Sequence, residues 1–140
     1  LIAARRRAAG GAAAQACVVV NAGTSVTVDA LDAEGQFRGG IMLPGLHAML
    51  KTLADAMPQA RIGGGRWKDF PVNDADAAAT GVVRAVAGAV AETRARLATG
   101  GAPVRAYVAG GAAREIAPHL AAPVEVVDNL VLEGVLALAD

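Results

Sequence analysis

Three short β-type segments lie within residues 17–43 and constrain the fold more than any other feature of the sequence. The run CVVVN at 17–21 is apolar and β-branched, which is typical of a buried strand. Residues 25–31 alternate apolar with polar side chains, and a third segment at 36–43 follows the turn DAEG at 32–35. The connections between these segments are too short for a crossover helix. We therefore predict three consecutive antiparallel strands.

The rest of the chain alternates helical and extended patterns, with glycine and proline at the breaks. LIAARRRAA at 1–9 predicts the end of a helix that two glycines stop. After the third strand, which Pro44 and Gly45 end, we predict a helix at 46–57, an irregular segment at 58–73, a long helix at 74–98, a strand at 104–109, a short helix at 112–120, a strand at 124–127 and a last helix capped by Asp128 or Asn129. From residue 17 onward the predicted order is βββ-α-α-β-α-β-α.

Composition argues against several classes of partner. Lys plus Arg number 13, as do Asp plus Glu, so no net charge draws the chain to nucleic acid or to an anionic membrane. Aromatic residues make up only 3%, too few for base-stacking platforms. Polar residues interrupt each apolar stretch before it reaches the roughly 18 residues of a membrane-spanning helix. The single Cys17 excludes an internal disulfide, and AAGGAAA at 8–14 is too weakly hydrophobic for a signal core, so we expect a cytoplasmic protein.

The nucleophiles and metal ligands of the chain form no recognisable catalytic set. His47 and His119 lie on separate predicted helices without a paired Cys or His, so a zinc site is not expected. Cys17 opens a buried strand with no His nearby, which predicts a packed, inert thiol. The sequence contains neither the Walker phosphate loop G-x-x-x-x-G-K-[ST] nor G-x-G-x-x-G after a strand.

Two glycine turns remain as candidate phosphate contacts. The first, NAGTS at 21–25, places Gly23 and the hydroxyl of Thr24 beside free backbone N–H groups between two strands. In the second, Gly110 and Gly111 stand between a strand and a helix N-terminus, which favours an anion. Each turn also has an ordinary structural explanation. The first can be an ordinary tight hairpin. The second can be a strand-to-helix turn that needs glycine for packing.

The element order and the two turns together resemble one domain of the acetate and sugar kinase/Hsp70/actin superfamily, a ribonuclease H-like α/β fold with a mixed sheet. A closer resemblance is carried by NAGTSVTVDALDAEGQFRGGIMLPG at 21–45, which is similar to the second phosphate motif and following hairpin of type III pantothenate kinases, the family of the Bvg accessory factors. Three further segments resemble that family: VAGGAA at 108–113 its adenosine motif, FPVNDADAAATG at 70–81 the segment before its long helix, and DNLVLEGVLALA at 128–139 its C-terminus.

The resemblance implies a kinase that transfers phosphate from ATP to the primary hydroxyl of pantothenate, the first step toward coenzyme A. The family's first phosphate motif, Asp-x-Gly-Asn-Thr, and its Gly-x-Asp-Arg segment with the catalytic Asp are not in this sequence. Residues 1–16 are then expected to be the end of a helix from an N-terminal half plus a connector, and residues 17–140 the C-terminal actin-like ATPase domain. No catalytic residue is assigned within the chain, because the base is expected upstream, and the chain alone is expected to be inactive.

The resemblance also implies binding roles for single residues. Gly23 and Thr24 would contact the ATP phosphates, while Gly110 and Gly111 would let adenine and ribose lie on the second turn. Asn21 stands where many members have an Asp that binds a monovalent cation, either ammonium or potassium, and its amide oxygen can coordinate although it carries no charge. Magnesium would offset the phosphate charge. Members of the family work as homodimers with the substrate site near the interface, so we expect a homodimer.

Two acidic residues and two aromatic ones need separate expectations. Asp74 stands where the family typically has a Thr that hydrogen-bonds pantothenate, so we expect it to cap the long helix and to weaken binding of the pantothenate carboxylate. Asp29 on the second strand either orders the Gly–Thr turn through hydrogen bonds or helps to position a cation or water. Trp67 and Phe70 in the irregular segment are expected to be local packing anchors.

Two other functions stay open beside the pantothenate kinase. One is another kinase of the superfamily that acts on a sugar or an acid, against which the C-terminal motif and the lack of an inserted sugar domain argue. The other is a non-catalytic accessory or regulatory protein that keeps the ATPase fold. The replacements at Asn21 and Asp74 support this second alternative, and retained ATP binding without turnover would distinguish it.

Overall fold

The computed structural model describes residues 1–10, 15–98, 100–130 and 133. Its helices and strands, numbered in chain order, are α1 Ile2–Ala9, β1 Cys17–Ala22, β2 Ser25–Leu31, β3 Phe37–Pro44, α2 Leu46–Ala56, α3 Asp74–Leu97, β4 Arg105–Ala109, α4 Ala113–Ile116 and β5 Val124–Val126. A short 3-10 helix, Ala117–His119, follows α4. Most of the last predicted helix, residues 131–132 and 134–139, lies outside the described residues.

The five strands form one mixed sheet in the order β3-β2-β1-β4-β5. The hairpin partners β1–β2 and β2–β3 are antiparallel, whereas β4 lies parallel to both β1 and β5. The two-helix connection through α2 and α3 provides the long crossover that a parallel neighbour requires. This topology confirms the expected ribonuclease H-like, actin-like ATPase fold. It also brings the carboxyl ends of β1 and β4 to the same edge of the sheet, where ligands of α/β folds bind.

The two faces of the sheet have separate hydrophobic cores. On one face, strand residues pack against one side of α3, and the largest fully buried side chains there include Val18, Val20, Val26, Val28, Val83, Val86 and Val90. On the other face, Cys17, Val19 and Tyr107 pack against Ala3 and Ala4 of α1. Because β1 is covered on both faces, its sequence is a continuous apolar run rather than an alternating one.

Two end positions of the fold add detail to the sequence prediction. β3 ends at Pro44 and Gly45 as expected, and Pro44 is itself the last residue of the strand, where it pairs with Ser25. Proline is tolerated there because β3 is an edge strand, where no further neighbour needs its missing N–H. Arg7 of α1 forms ion pairs with Glu125 of β5 and, at 2.6 Å, with Glu133. Among the helices within the described ranges, none has both the length and the apolarity to cross a bilayer.

Candidate functional site

Backbone contacts within the Gly–Thr turn and from the start of α2 hold this turn between β1 and β2 in place. The Gly23 N–H donates to the Ser25 carbonyl oxygen at 2.9 Å, and the Gly45 N–H donates to the Thr24 carbonyl oxygen at 3.0 Å. A Cβ at Gly45 would overlap the carbonyl oxygens of both Gly23 and Thr24, so the start of α2 lies directly under the turn. The outer surface is open, because Gly23 and Thr24 are exposed. A Cβ at Gly23 would meet the Ser25 oxygen at 3.8 Å, an ordinary contact.

The second glycine turn, after β4, is joined to the first through Ala22. Gly110 has a φ of +98°, and a Cβ there would lie 2.5 Å from the Ala22 carbonyl oxygen, so both its conformation and its surroundings require glycine. The Ala112 N–H donates to the same Ala22 oxygen at 3.0 Å. Gly111 is exposed, and no described atom lies within 4 Å of a Cβ built on it. The two predicted phosphate turns therefore meet at one edge of the sheet.

Asn21 lies beside this junction, in β1 and one residue before Ala22. It is exposed and pairs in register with Thr27 and with Ala109, the residue before Gly110. An amide oxygen is a chemically suitable cation ligand, and the role of Asn21 stays a prediction. Within the described ranges, no three His, Cys, Asp or Glu residues are grouped so that they could hold a metal ion.

Asp29 is too far along β2 to order the Gly–Thr turn, so that expectation is wrong. It pairs with Val19 and Gly40, and the four residues from Ser25 to Asp29 span about 13 Å of strand. Its carboxylate lies over Gly40, where a Cβ would overlap Oδ1. Partial burial raises the pKa of Asp29, because desolvation disfavours the carboxylate.

The start of α3 is capped by Asn73, which corrects the expectation that Asp74 is the cap. Asn73 has an extended backbone, and its Oδ1 accepts from the Asp76 N–H at 2.9 Å. Its Nδ2 donates to Asp76 Oδ2 at 3.0 Å, so both ends of the amide are committed to the helix start. Asp74 is the first helical residue and is exposed. Its negative charge is still favourable there because of the helix dipole.

The segment before this cap runs along α3 and is attached to it by three side chains, which we call the α3 clasp: Asp76, Thr80 and Arg84. Asp76 Oδ1 accepts from the Arg66 N–H at 2.8 Å, and Arg84 Nη2 donates to the Asp69 carbonyl oxygen at 2.6 Å. Between them, Thr80 Oγ1 accepts from the Lys68 N–H at 2.9 Å and lies 3.3 Å from the Lys68 carbonyl oxygen. The hydrogen bond from the Arg66 backbone N–H, and after it the one from the Asn73 side-chain amide, lower the pKa of Asp76.

Sequence reasoning missed the clasp, although one signal for it was present. Asp76, Thr80 and Arg84 are spaced by four residues, so they form one ridge of an alanine- and valine-rich helix. Thr80 is only 2% exposed, which is unusual for a polar residue without a role in hydrogen bonding. A polar ridge that interrupts an apolar helix surface therefore indicates attachment of a neighbouring segment.

The two aromatic residues of the irregular segment differ in their surroundings. Trp67 packs against the main core, and its ring stacks on His119 with centroids 4.4 Å apart, so the packing expectation is confirmed for it. Phe70 is 88% exposed, which makes the same expectation wrong for that residue. The neighbouring Val72 is 95% exposed. Cys17 is buried as predicted, and desolvation raises the pKa of its thiol to about 11.

The sheet topology and the joined turns define the class of the protein: it is an α/β domain of the acetate and sugar kinase/Hsp70/actin superfamily. Residues 1–96 match the sequence profile of type III pantothenate kinase. The chain therefore belongs to the type III pantothenate kinase family.

Individual relatives agree with this assignment. The type III pantothenate kinase of Chromobacterium violaceum is 49% identical over 125 residues, 88% of this chain and 53% of that protein. The type III pantothenate kinase of Nitrosospira multiformis is 45% identical over 126 residues, 89% of this chain and 48% of that protein. The chain thus spans about half the length of the curated relatives it matches.

A solved structure supports the fold alone. It is that of a protein from Campylobacter jejuni described as a conserved Baf family transcriptional activator. The similarity has a TM-score of 0.67 at 22% identity and covers 87% of this chain and 56% of that one.

Proposed function

We propose that this chain supplies the ATP-binding half of a kinase that phosphorylates pantothenate on its primary hydroxyl group. The observation that carries the proposal is the junction at Ala22, where the Gly23–Thr24 turn and the Gly110–Gly111 turn meet through one carbonyl oxygen. Membership of the type III pantothenate kinase family supports pantothenate as the acceptor. The catalytic base is proposed to come from sequence before Leu1, since the chain matches only about half of its relatives.

In this proposal each of the two turns binds a different part of the nucleotide. Gly23 and Thr24 contact the phosphates, because the turn is exposed, Gly23 has no side chain to block their approach and Thr24 offers a hydroxyl, while the Gly23 N–H is already bonded to the Ser25 carbonyl oxygen. Gly111, with no side chain above it, lets adenine and ribose lie flat, while Gly110 keeps the turn against β1. Magnesium bound to the ATP phosphates would offset their charge. Asn21 supplies an amide oxygen to a monovalent cation, ammonium or potassium.

The reaction itself is a phosphoryl transfer. The pantothenate hydroxyl oxygen forms a bond to the γ-phosphorus as the bond from that phosphorus to the bridging β–γ oxygen breaks, and ADP leaves. The hydroxyl proton passes to the upstream aspartate base. What this chain contributes is position and charge stabilisation, which supply most of the catalysis in such transfers. We propose that the reaction takes place in the cytoplasm.

Asp74 is proposed to lie near pantothenate and to lower its affinity. The side chain is exposed and is not needed as the helix cap, since Asn73 fills that place. Replacing Asp74 by Thr should therefore lower the KM for pantothenate and keep the helix cap, with a loss of only the favourable interaction of the charge with the helix dipole, about 0.3–1 kcal/mol. An unchanged KM would contradict this part of the proposal.

A homodimer is part of the proposal, with residues 65–74, which we call the substrate segment, at its interface. Phe70 and Val72 within that segment are almost fully exposed, which is typical of residues that a partner covers. An apolar groove of about 380 Å³ lies between α2 and the first half of α3, the helix that follows these two residues in the chain. It is lined in part by Met49, Leu53 and Gly81. Sedimentation equilibrium of the protein with Phe70→Ser and Val72→Ser replacements tests this point, and the expected result is a shift to monomer.

The activity is tested by ADP release with ATP, magnesium, ammonium and pantothenate. The chain of 140 residues is compared with the longer protein in which its upstream coding sequence is present. Turnover by the longer protein alone is the expected result. Absence of turnover from both proteins would contradict the kinase proposal.

A second candidate is an accessory protein that binds ATP without transferring phosphate. The observation that favours it is the exposed carboxylate of Asp74 in the substrate segment, together with an uncharged Asn21 at the cation position. ATP binding by the longer protein without turnover, and no gain of activity from Asp74→Thr, would support this candidate.

A further inference from the structure

The segment of residues 65–73 is attached to α3 by a regular series of hydrogen bonds, which a simple surface loop does not need. Its backbone is held at Arg66, Lys68 and Asp69 by Asp76, Thr80 and Arg84 in turn. The three clasp residues lie on one ridge of the helix, one turn apart. Each successive turn bonds to a loop residue one or two positions further along. The loop is therefore aligned along α3 over three successive attachment points.

The first end of the segment is fixed as tightly by backbone packing. A Cβ at Gly65 would overlap the carbonyl group of Ala75, in the first turn of α3. The other end is fixed by Asn73, whose amide is bonded on both sides to Asp76. Asp76 thus bonds to the loop at Arg66 and to the cap at Asn73 with its two carboxylate oxygens. The position of the helix start depends on the position of the loop.

Thr80 is the central attachment and the one that is buried. It is 2% exposed, and its single hydroxyl serves both the N–H and the carbonyl oxygen of Lys68. A hydroxyl can accept and donate at once, whereas an isosteric valine can do neither. Trp67, next to Lys68, packs into the core beside it and completes the anchorage.

We infer that Thr80 and its clasp partners are positioning residues for pantothenate: they hold residues 65–73 so that Asn73 and Asp74 stand where the substrate binds. The inference rests on the proposed function. Thr80 itself is buried under the loop and touches no substrate, so its effect passes through the loop backbone. The nucleotide turns lie on other elements and are held by Ala22 and Gly45, so the clasp should govern the affinity for pantothenate and not that for ATP.

The test uses Thr80→Val and Thr80→Ser in the longer protein, with KM for pantothenate, KM for ATP and kcat measured for each. Thr80→Val should raise the pantothenate KM by about fivefold to tenfold, the change that one lost hydrogen bond produces in an equilibrium. Thr80→Ser keeps the hydroxyl and should restore the parent value. The KM for ATP should stay within about twofold in both variants, since an uninvolved site is usually unaffected.

A second pair of variants covers the case in which Thr80→Val does not fold. Arg84→Met removes the exposed last attachment, and Arg96→Met is the matched control, because Arg96 lies on the same helix and pairs with Glu92 instead. Arg84→Met should raise the pantothenate KM, while Arg96→Met should leave it unchanged.

Three outcomes separate the possible failures. An active parent whose Thr80→Val or Arg84→Met variant keeps its pantothenate KM overturns the inference and leaves the proposed function standing. Equal increases in the KM for ATP and for pantothenate also overturn it, because they indicate general damage to the fold. A parent protein without turnover overturns the proposed function, and the inference falls with it.

Discussion

The two regions proposed to bind ligands are held in opposite ways. The nucleotide turns are fixed by backbone against backbone, through the Ala22 and Gly45 contacts, and glycine is required at positions 45 and 110 because a Cβ there would overlap a neighbouring carbonyl. The segment before α3 is fixed by side chains against backbone, through Asp76, Thr80 and Arg84. Backbone contacts restrict which residues can occupy the turns, whereas side-chain attachments can be changed one at a time. The nucleotide region should therefore be rigid and intolerant, and the substrate segment adjustable.

The largest effect expected from this comparison is that of Gly110→Ala. The substitution imposes a positive φ on a residue with a side chain and drives its Cβ into the Ala22 carbonyl group. We expect a loss of about 2–4 kcal/mol in the free energy of unfolding. Urea denaturation measures it.

The control for that measurement is Gly88→Ala, the same replacement in the open interior of α3. No described atom lies within 4 Å of a Cβ at Gly88, so the change should add up to about 1 kcal/mol of stability. Equal stability of the Gly110→Ala variant and the parent would refute the account of the turn junction.

A smaller and more local effect is expected for Gly65→Ala. Its Cβ would overlap the Ala75 carbonyl, but a loop can move away from α3 more easily than β1 can move from β4. We expect a loss of about 1–2 kcal/mol, typical of a small overpacking change. Limited proteolysis should detect new cleavage between residues 61 and 70, where Arg61, Arg66 and Lys68 are trypsin sites.

Low pH should weaken the attachment of the segment before α3 and leave the nucleotide turns unaffected, without any substitution. The pKa of Asp76 is lowered in the folded protein by its hydrogen bonds from Arg66 and Asn73, so these bonds contribute stability above the ordinary value of 3.8. That contribution is lost as the pH falls below 3.8 toward the folded pKa. The nucleotide turns are held by backbone groups, which do not titrate.

Amide hydrogen exchange measures this difference within one sample. Below pH 3.8, the Arg66 amide should lose protection while the Ala112 amide, bonded to Ala22, keeps it. Simultaneous loss at both amides would mean that the two regions are not held independently.

The smallest effect on stability is expected for Gly111→Ala. The position is open and has no positive φ, so the free energy of unfolding should change by less than about 0.5 kcal/mol. The added methyl group would nevertheless stand where adenine and ribose are proposed to lie. Calorimetric titration of the longer protein with ATP should therefore register weaker binding, and unchanged affinity would remove Gly111 from the site.

The nucleotide region could be predicted from the sequence because its close backbone contacts require glycine at particular positions. Glycines directly after two strands reflect the close approach of Gly110 to Ala22 and of Gly45 to the Gly–Thr turn. The strand order follows from short hairpins and one long crossover. The functional roles of Gly23, Thr24 and Gly111 stay predictions, because stability alone does not require a ligand.

The substrate segment was harder to predict for two physical reasons. Asn73 and Asp74 are both good helix-capping residues, so sequence alone could not decide which of two adjacent positions begins the helix. The clasp bonds join a helix to loop residues that lie 10, 12 and 15 positions earlier, so the route of the loop decides which residues meet. Phe70 is expected from its apolar side chain to anchor local packing, but it lies between the last clasp contact at Asp69 and the cap at Asn73, where it is 88% exposed.

The most direct test of the central claim is a map of backbone amide shifts in the longer protein on titration with a non-hydrolysable ATP analogue and magnesium. If the two turns form one nucleotide site, the amides of Gly23, Thr24, Gly110 and Gly111 shift together with a single dissociation constant, while those of residues 65–73 stay in place. Shifts at one turn only, or shifts centred on the α3 clasp, would contradict the claim.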